Sequence, residues 1–192
     1  RRVLFRSSPT VTANGTSVTA QGWQIETAAS SGSFTSLTVP YTVAYADNGK
    51  KIRYTATNAC GTTNSNEVTL TIQDKPTVAS VSSVSAMCAG AELNPTSPTV
   101  TANGTSVTAQ GWQIETAASS GSFTSLTVPY NVAYADNGKK IRYTATNACG
   151  TTNSNEVTLT IQDKPTVASV SSVSAICAGT SLNPSAPTVT AN

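Results

Sequence analysis

Few residues in this chain are equipped for chemistry, and the most versatile one is missing. There are four cysteines and no histidine. Ser-His-Asp and Cys-His catalysis, histidine-bearing zinc sites and imidazole proton shuttles are therefore excluded together. No C-x-x-C pair occurs, so a cysteine-rich metal site fails as well. Glu115 and Asp136 are two carboxylates of the kind a glycosidase uses, but a strand position and a turn position make them ordinary solvent-facing groups. Asp136-Asn137-Gly138 is the only acidic loop cluster, and as a turn it needs no calcium. Lys139-Lys140-x-Arg142 is a short basic stripe that reads as a solvated strand face rather than an anion site. Trp112 with Tyr130, Tyr134 and Tyr143 offers rings that stack on sugars. Their inward alternation favours core packing instead. There is no G-x-x-x-x-G-K phosphate loop. Asn103-Gly104-Thr105 matches a glycosylation acceptor, and its turn role explains it.

The elements that position these residues come in copies. PTVTANGTSVTAQGWQIETAASSGSFTSLTVPY begins at Pro9 and again at Pro98, and a third start at Pro187 stops after PTVTAN. Trp23 recurs as Trp112, Cys60 as Cys149 and Cys88 as Cys177, each pair 89 positions apart. Over one period there are six differences: Thr42/Asn131, Met87/Ile176, Ala91/Thr180, Glu92/Ser181, Thr96/Ser185 and Ser97/Ala186. The expected organisation is a repeat at 8–74 lacking its first strand or strands, a complete repeat at 75–163, and the N-terminal part of a third at 164–192.

Residues 1–7 break the register. They read RRVLFRS where the repeat calls for GAELNPT or GTSLNPS. AGA CGT GTG CTC TTC CGA TCT encodes them, a sequencing-adapter tail. They are expected to be a translated artefact on a piece of a longer reading frame and are left out of fold reasoning. The chain carries +2 overall, and without Arg1, Arg2 and Arg6 the balance is 8 − 9 = −1. No basic field remains for nucleic acid or an anionic membrane. No stretch approaches the ~20 apolar residues of a membrane helix. A Ser/Thr-rich chain with two cysteines per repeat reads as extracellular and disulfide-bearing. Pairing Cys88 with Cys149 closes a loop of about 61 residues, worth ~4 kcal/mol on the chain-entropy model, and leaves Cys60 and Cys177 orphaned by truncation. The rival pairings, Cys60–Cys88 and Cys149–Cys177, would staple neighbouring repeats.

Within the complete repeat the hydrophobic period is 2 almost throughout. TVASVSSVSAM (77–87) predicts a first, broken strand. ELNPTSPTVTA (92–102) predicts a bend followed by a paired segment. Asn103-Gly104 marks a tight turn. QGWQIE places Trp112 and Ile114 inward, with Gln113 and Glu115 outward. SFTSLTVP follows, then YNVAY with Tyr130, Val132 and Tyr134 on one face. KKIRYTATNACG alternates Ile141, Tyr143 and Ala145 with Lys140, Arg142 and Thr144, and EVTLTI turns Val157, Leu159 and Ile161 inward. The expected core includes Trp23, Trp112, Tyr54, Tyr143, Ile52 and Ile141. These strands predict an all-β fold, a two-layer antiparallel sandwich, and with the 89-residue period the expected fold class is tandem immunoglobulin-like β-sandwich domains with the first and last copies truncated.

GWQIE followed by ADNGKKIRYTATNACG resembles the strand C tryptophan and the D-x-G…Y-x-x-x-N run of immunoglobulin-like domains. TNACGTTNSNEVTLTI and ICAGTSLNP resemble the last hairpin and the Cys-Ala-Gly opening of bacterial immunoglobulin-like repeats. Such repeats build very large surface adhesins, including gliding-motility adhesins exported by type IX secretion. The resemblance covers nearly all of the chain beyond residue 8. It implies a bacterial cell-surface location and a non-catalytic stalk, with no cofactor and no metal. Its partners are the neighbouring repeats, with a glycan, host or substratum ligand bound elsewhere in the parent protein. One departure stands out: the second sandwich cysteine of antibody domains is absent beside Ile141 and Tyr143, and Cys149 lies in the final hairpin. A bridge from there to Cys88 would pin the first strand against pulling. The short QDKP linkers, with their prolines, are expected to hold beads close and extended. The alternative function is a carbohydrate-binding accessory module of a secreted protein.

Overall fold

A computed structural model describes residues 8–191; the artefact expected at residues 1–7 lies outside them. The chain is all-β, with eighteen short strands and two 3-10 turns, Tyr45–Asp47 and Tyr134–Asp136, among the described residues. Two compact units are present.

The first unit comprises residues 8–75 together with Ala102–Ser106. Its strands are β1 (Ala20–Glu26), β2 (Phe34–Leu37), β3 (Lys51–Asn58), β4 (Gly61–Asn64) and β5 (Val68–Thr69). They form one sheet in the order β2-β1-β3-β4, with β5 also on β3. The register sets Trp23 beside Tyr54 and Ile25 beside Ile52. The expected Asn-Gly turn is here: Asn103 and Gly104 take φ of 53° and 88°. A Cβ on Gly104 would lie 3.1 Å from the Ile72 carbonyl oxygen, so glycine fits this approach. Asn103 Nδ2 donates to the Lys75 carbonyl at 2.7 Å, and Asp74 N–H donates to Asn103 O at 3.0 Å.

The second unit comprises Pro76–Thr101 and the chain from Val107 onward. Its leading segment holds β6 (Thr77–Val78), β7 (Met87–Cys88), β8 (Glu92–Leu93) and β9 (Val100–Thr101). Then come β10 (Ala109–Glu115), β11 (Phe123–Leu126), β12 (Tyr130–Asn131), β13 (Lys140–Asn147), β14 (Gly150–Asn153), β15 (Val157–Thr158) and β16 (Ile161–Gln162). β17 (Thr166–Val167) and β18 (Val189–Thr190) pair with each other beyond them. A five-stranded sheet runs β11-β10-β13-β14 with β15 on β13, matching that of the first unit. The leading segment adds three small pairings: β6 with β9, β8 with β12, and β7 with β16, the last parallel.

Alternation builds the interior. Ile141, Tyr143 and Ala145 are buried while Lys140, Arg142 and Thr144 between them are partly open. Ile141 and Tyr143 meet Trp112, Ile114, Leu126, Val132, Val157, Leu159 and Ile161 from the same unit. Val81 and Leu93 enter from the leading segment, and Val78, Val84 and Met87 pack against them. Such burial is worth roughly 1.5–3 kcal/mol per large apolar side chain, so the leading segment is integral to this interior.

β13 pairs Thr144 with Asn153 but Ile141 with Val157. Three steps on β13 therefore face four on its neighbour, which is a bulge at Ser154–Glu156. Tyr143 N–H donates to Ser154 Oγ at 2.9 Å instead of to a backbone carbonyl. The bulge aims Asn155 at Val81, accepting from its N–H at 2.7 Å and donating to its carbonyl at 3.0 Å. One side-chain amide thus does the work of a strand residue.

Candidate functional site

Glu115 ends β10 and does not face solvent as its alternation predicts; it is 1% exposed. The loop after β10 curls over it. Gly121 N–H and Lys140 N–H each donate to its carboxylate at 3.0 Å. Burial pushes this carboxyl up, but the backbone donors of Gly121, Lys140 and Ser119 and the Lys140 charge outweigh it and hold the pKa below the ordinary value. Asp136 is also buried, closing the 3-10 turn. It accepts from Ala133 N–H at 2.9 Å, from Tyr130 Oη at 2.9 Å and from Lys139 Nζ at 2.9 Å. Burial raises its pKa, while Lys139, the Ala133 amide and the Tyr130 hydroxyl together lower it further. The same bonds pull the Tyr130 hydroxyl upward, because it donates to the Asp136 carboxylate.

Both carboxylates line one cleft of about 430 Å³ with Tyr130 and Lys139. A general acid at neutral pH needs a raised pKa, and these two are lowered. Their chemistry is to tie loops: Glu115 fastens the 116–121 loop to β13, and Asp136 fastens the turn to β12. Glu26 and Asp47 make the same bonds in the first unit. Sequence reasoning missed this role. Its available signal was an acid followed by a Gly- and Ser-rich loop whose amides need an acceptor.

The aromatic residues divide. Trp112 and Tyr143 meet edge-on, with centroids 5.3 Å apart at 84°, and Trp23 and Tyr54 repeat the contact at 5.3 Å and 82°. Trp112, Tyr143, Ile141 and Ile52 are buried, whereas Trp23 and Tyr54 are half-buried. Tyr134, expected inward beside Val132, is 45% exposed. The 3-10 turn begins at Tyr134 and ends the strand alternation there. The basic stripe is ion-paired: Lys140 and Arg142 share Glu156 at 2.9 and 3.8 Å, and Lys139 is held by Asp136. Arg142 also lies 3.7 Å over the Phe123 ring and donates to Gln113.

The Cys88–Cys149 bridge is corrected by the strand directions. All four cysteines carry free, exposed thiols. Cys88 pairs beside Gln162, past the Lys140 end of β13, while Cys149 occupies the turn after Asn147 at the other end. Seven strand steps of ~3.3 Å put about 23 Å between those ends, and a disulfide requires Cα atoms within ~7 Å. Spacing gave the number of cysteines per repeat but not the direction of travel. The 77–88 segment starts at the Asn147 end and delivers Cys88 to the opposite one.

Among the described residues no three His, Cys, Asp or Glu gather as a metal site, and no helix is long and apolar enough to cross a membrane. Protein-family models and curated proteins yielded no match to the chain.

Proposed function

We propose that the chain is a run of tandem immunoglobulin-like β-sandwich beads, acting as a non-catalytic stalk segment of a bacterial cell-surface adhesin. The observation that carries this reading is the self-sufficiency of the second unit. Its Trp112-centred interior draws on side chains from Val78 to Ile161, all inside one 89-residue period. A bead that encloses its own core can be strung in any number, and a spacer's output is length. The carboxylates support the same role, since they stiffen loops. The ligand lies elsewhere in the parent protein, and neighbouring repeats are the partners of this part.

The test is protease shaving of intact cells expressing the parent frame. Repeat peptides are expected in the released fraction, and their recovery only after lysis would contradict the surface role. The second reading, a carbohydrate-binding module, is favoured by the exposed rings of Tyr134 and Tyr45, at 45% and 39%. It requires retention of the folded chain on a glycan array, lost in Tyr134→Ala; the stalk reading expects no retention.

A further inference from the structure

The five-stranded sheet of the second unit ends on one side at β14, against which β6 lies, and on the other at β11. β11 pairs with β10 alone. The segment 76–96 supplies the other strands of this 89-residue period, and its pairings lie elsewhere: β6 with β9, β8 with β12 and β7 with β16. The edge at β11 is therefore left bare by a full period of sequence.

One bond fixes where its backbone groups point. Thr116 N–H donates to Ser122 O at 2.9 Å, which makes these two a hydrogen-bonded pair of the antiparallel ladder. Such pairs alternate, so Thr124 and Leu126 aim their N–H and C=O groups at Ile114 and Trp112. Phe123 and Ser125 aim theirs away, and these backbone groups find no partner among the described residues. Sheet edges are ordinarily guarded by a charge, a proline or a bulge. Phe123–Leu126 reads FTSL and keeps an unbroken register on β10, so it carries none of the three. Phe34–Leu37 has the same sequence and the same register on β1, and Thr27 N–H donates to Ser33 O at 2.9 Å.

We propose that two copies of this chain pair through β11, edge to edge and antiparallel, continuing one sheet across a two-fold axis. The occupant follows from the row itself. N–H and C=O groups from Phe123 and Ser125 are their own complement under a two-fold axis, and the uncharged strand sets no like charges against each other. Phe123 of each copy faces Ser125 of the other, and each such pair exchanges bonds in both directions, about four in all. Thr124 lies on the axis beside its mate, a threonine pair that adds to sheet stability. β2 presents the same row through Phe34 and Ser36 and takes part in the same pairing. The contact needs nothing from the stalk role and goes beyond it.

Sedimentation of the reduced 192-residue chain over a range of concentrations, with amide exchange at the two extremes, tests this. Association that grows with concentration is expected, and the Phe123 and Ser125 amides should exchange about tenfold or more slowly in the associated chain. The Thr124 amide, already bonded within the ladder, should not change. Ser125→Pro with Ser36→Pro removes N–H groups that the chain's own ladders do not use and should weaken association about tenfold or more. Ser125→Lys with Ser36→Lys keeps those N–H groups, sets a charge on each edge and should act likewise, which serves where proline disturbs folding. A chain monomeric at every concentration, association that leaves the Phe123 and Ser125 amides exchanging as in the monomer, or association unmoved by the lysine pair would overturn the proposal.

Discussion

Residues 8–74 and 97–163 are the same sequence apart from Thr42/Asn131, yet they do not form the same set of strands. The five-stranded sheet is common to both, with the same register and the same bulge. β9, β12 and β16 exist only in the second, and their counterparts Val11–Thr12, Tyr41–Thr42 and Ile72–Gln73 are not strands. Each of the three missing strands pairs, in the second unit, with the segment 76–96. Burial follows: Val157 is 8% exposed and Val68 46%, and Leu159 is buried where Leu70 is half-buried. The lesson is that local pattern suffices for the central sheet, whereas the peripheral strands are made by a partner remote in sequence.

The largest effect expected from this difference is at the core. Leu159→Ala should cost about 2–5 kcal/mol, and Leu70→Ala about 1 kcal/mol or less because its side chain is already partly hydrated. Urea unfolding followed by fluorescence, with Trp23→Phe or Trp112→Phe so that one indole reports one unit, separates the two. Equal losses would mean that the leading segment contributes nothing to burial.

A smaller difference is expected at the bulge. Asn155→Ala leaves the Val81 N–H and carbonyl unpaired and should cost about 1–3 kcal/mol. The Asn66 side chain has no such partner among the described residues, so Asn66→Ala should stay within about 0.5 kcal/mol. The same unfolding measurement reads both.

Acid should not separate the units at all. Glu26, Asp47, Glu115 and Asp136 all have pKa values below the ordinary 4.5 and 3.8. A carboxylate whose folded pKa is depressed stabilises above its unfolded pKa, and that stability is lost as pH falls through the folded value. Both units should therefore weaken together below about pH 4, as seen in urea midpoints at pH 7 and pH 3. A loss confined to one unit would show that the loop clamps depend on the leading segment.

The parts of the fold legible from sequence were those written in local alternation. Ile141, Tyr143 and Ala145 face inward as their period requires, and Asn103-Gly104 turns as two residues tolerant of positive φ must. The broken first strand was also readable, since small polar residues interrupt TVASVSSVSAM. What failed depended on direction or on closure by a loop. Glu115 obeys the outward parity of β10 until the 116–121 loop folds over it. Tyr134 obeys inward parity until the 3-10 turn rotates it out. Cys88 and Cys149 could be counted from sequence, but their separation follows from which way the 77–88 segment runs. Asn155 gave no signal, because a bulge is visible only once both strands are placed.

The most direct measurement is amide exchange at two identical valines. Val132 N–H donates to Ala91 O at 3.0 Å, a carbonyl of the leading segment, while its counterpart Val43 has no acceptor among the described residues. Their neighbours Asn131 and Thr42 differ, so the two resonances can be told apart. Val132 is expected to exchange orders of magnitude more slowly than Val43. Equal exchange at the two sites would contradict the claim that the remote segment, rather than the local sequence, makes the strand.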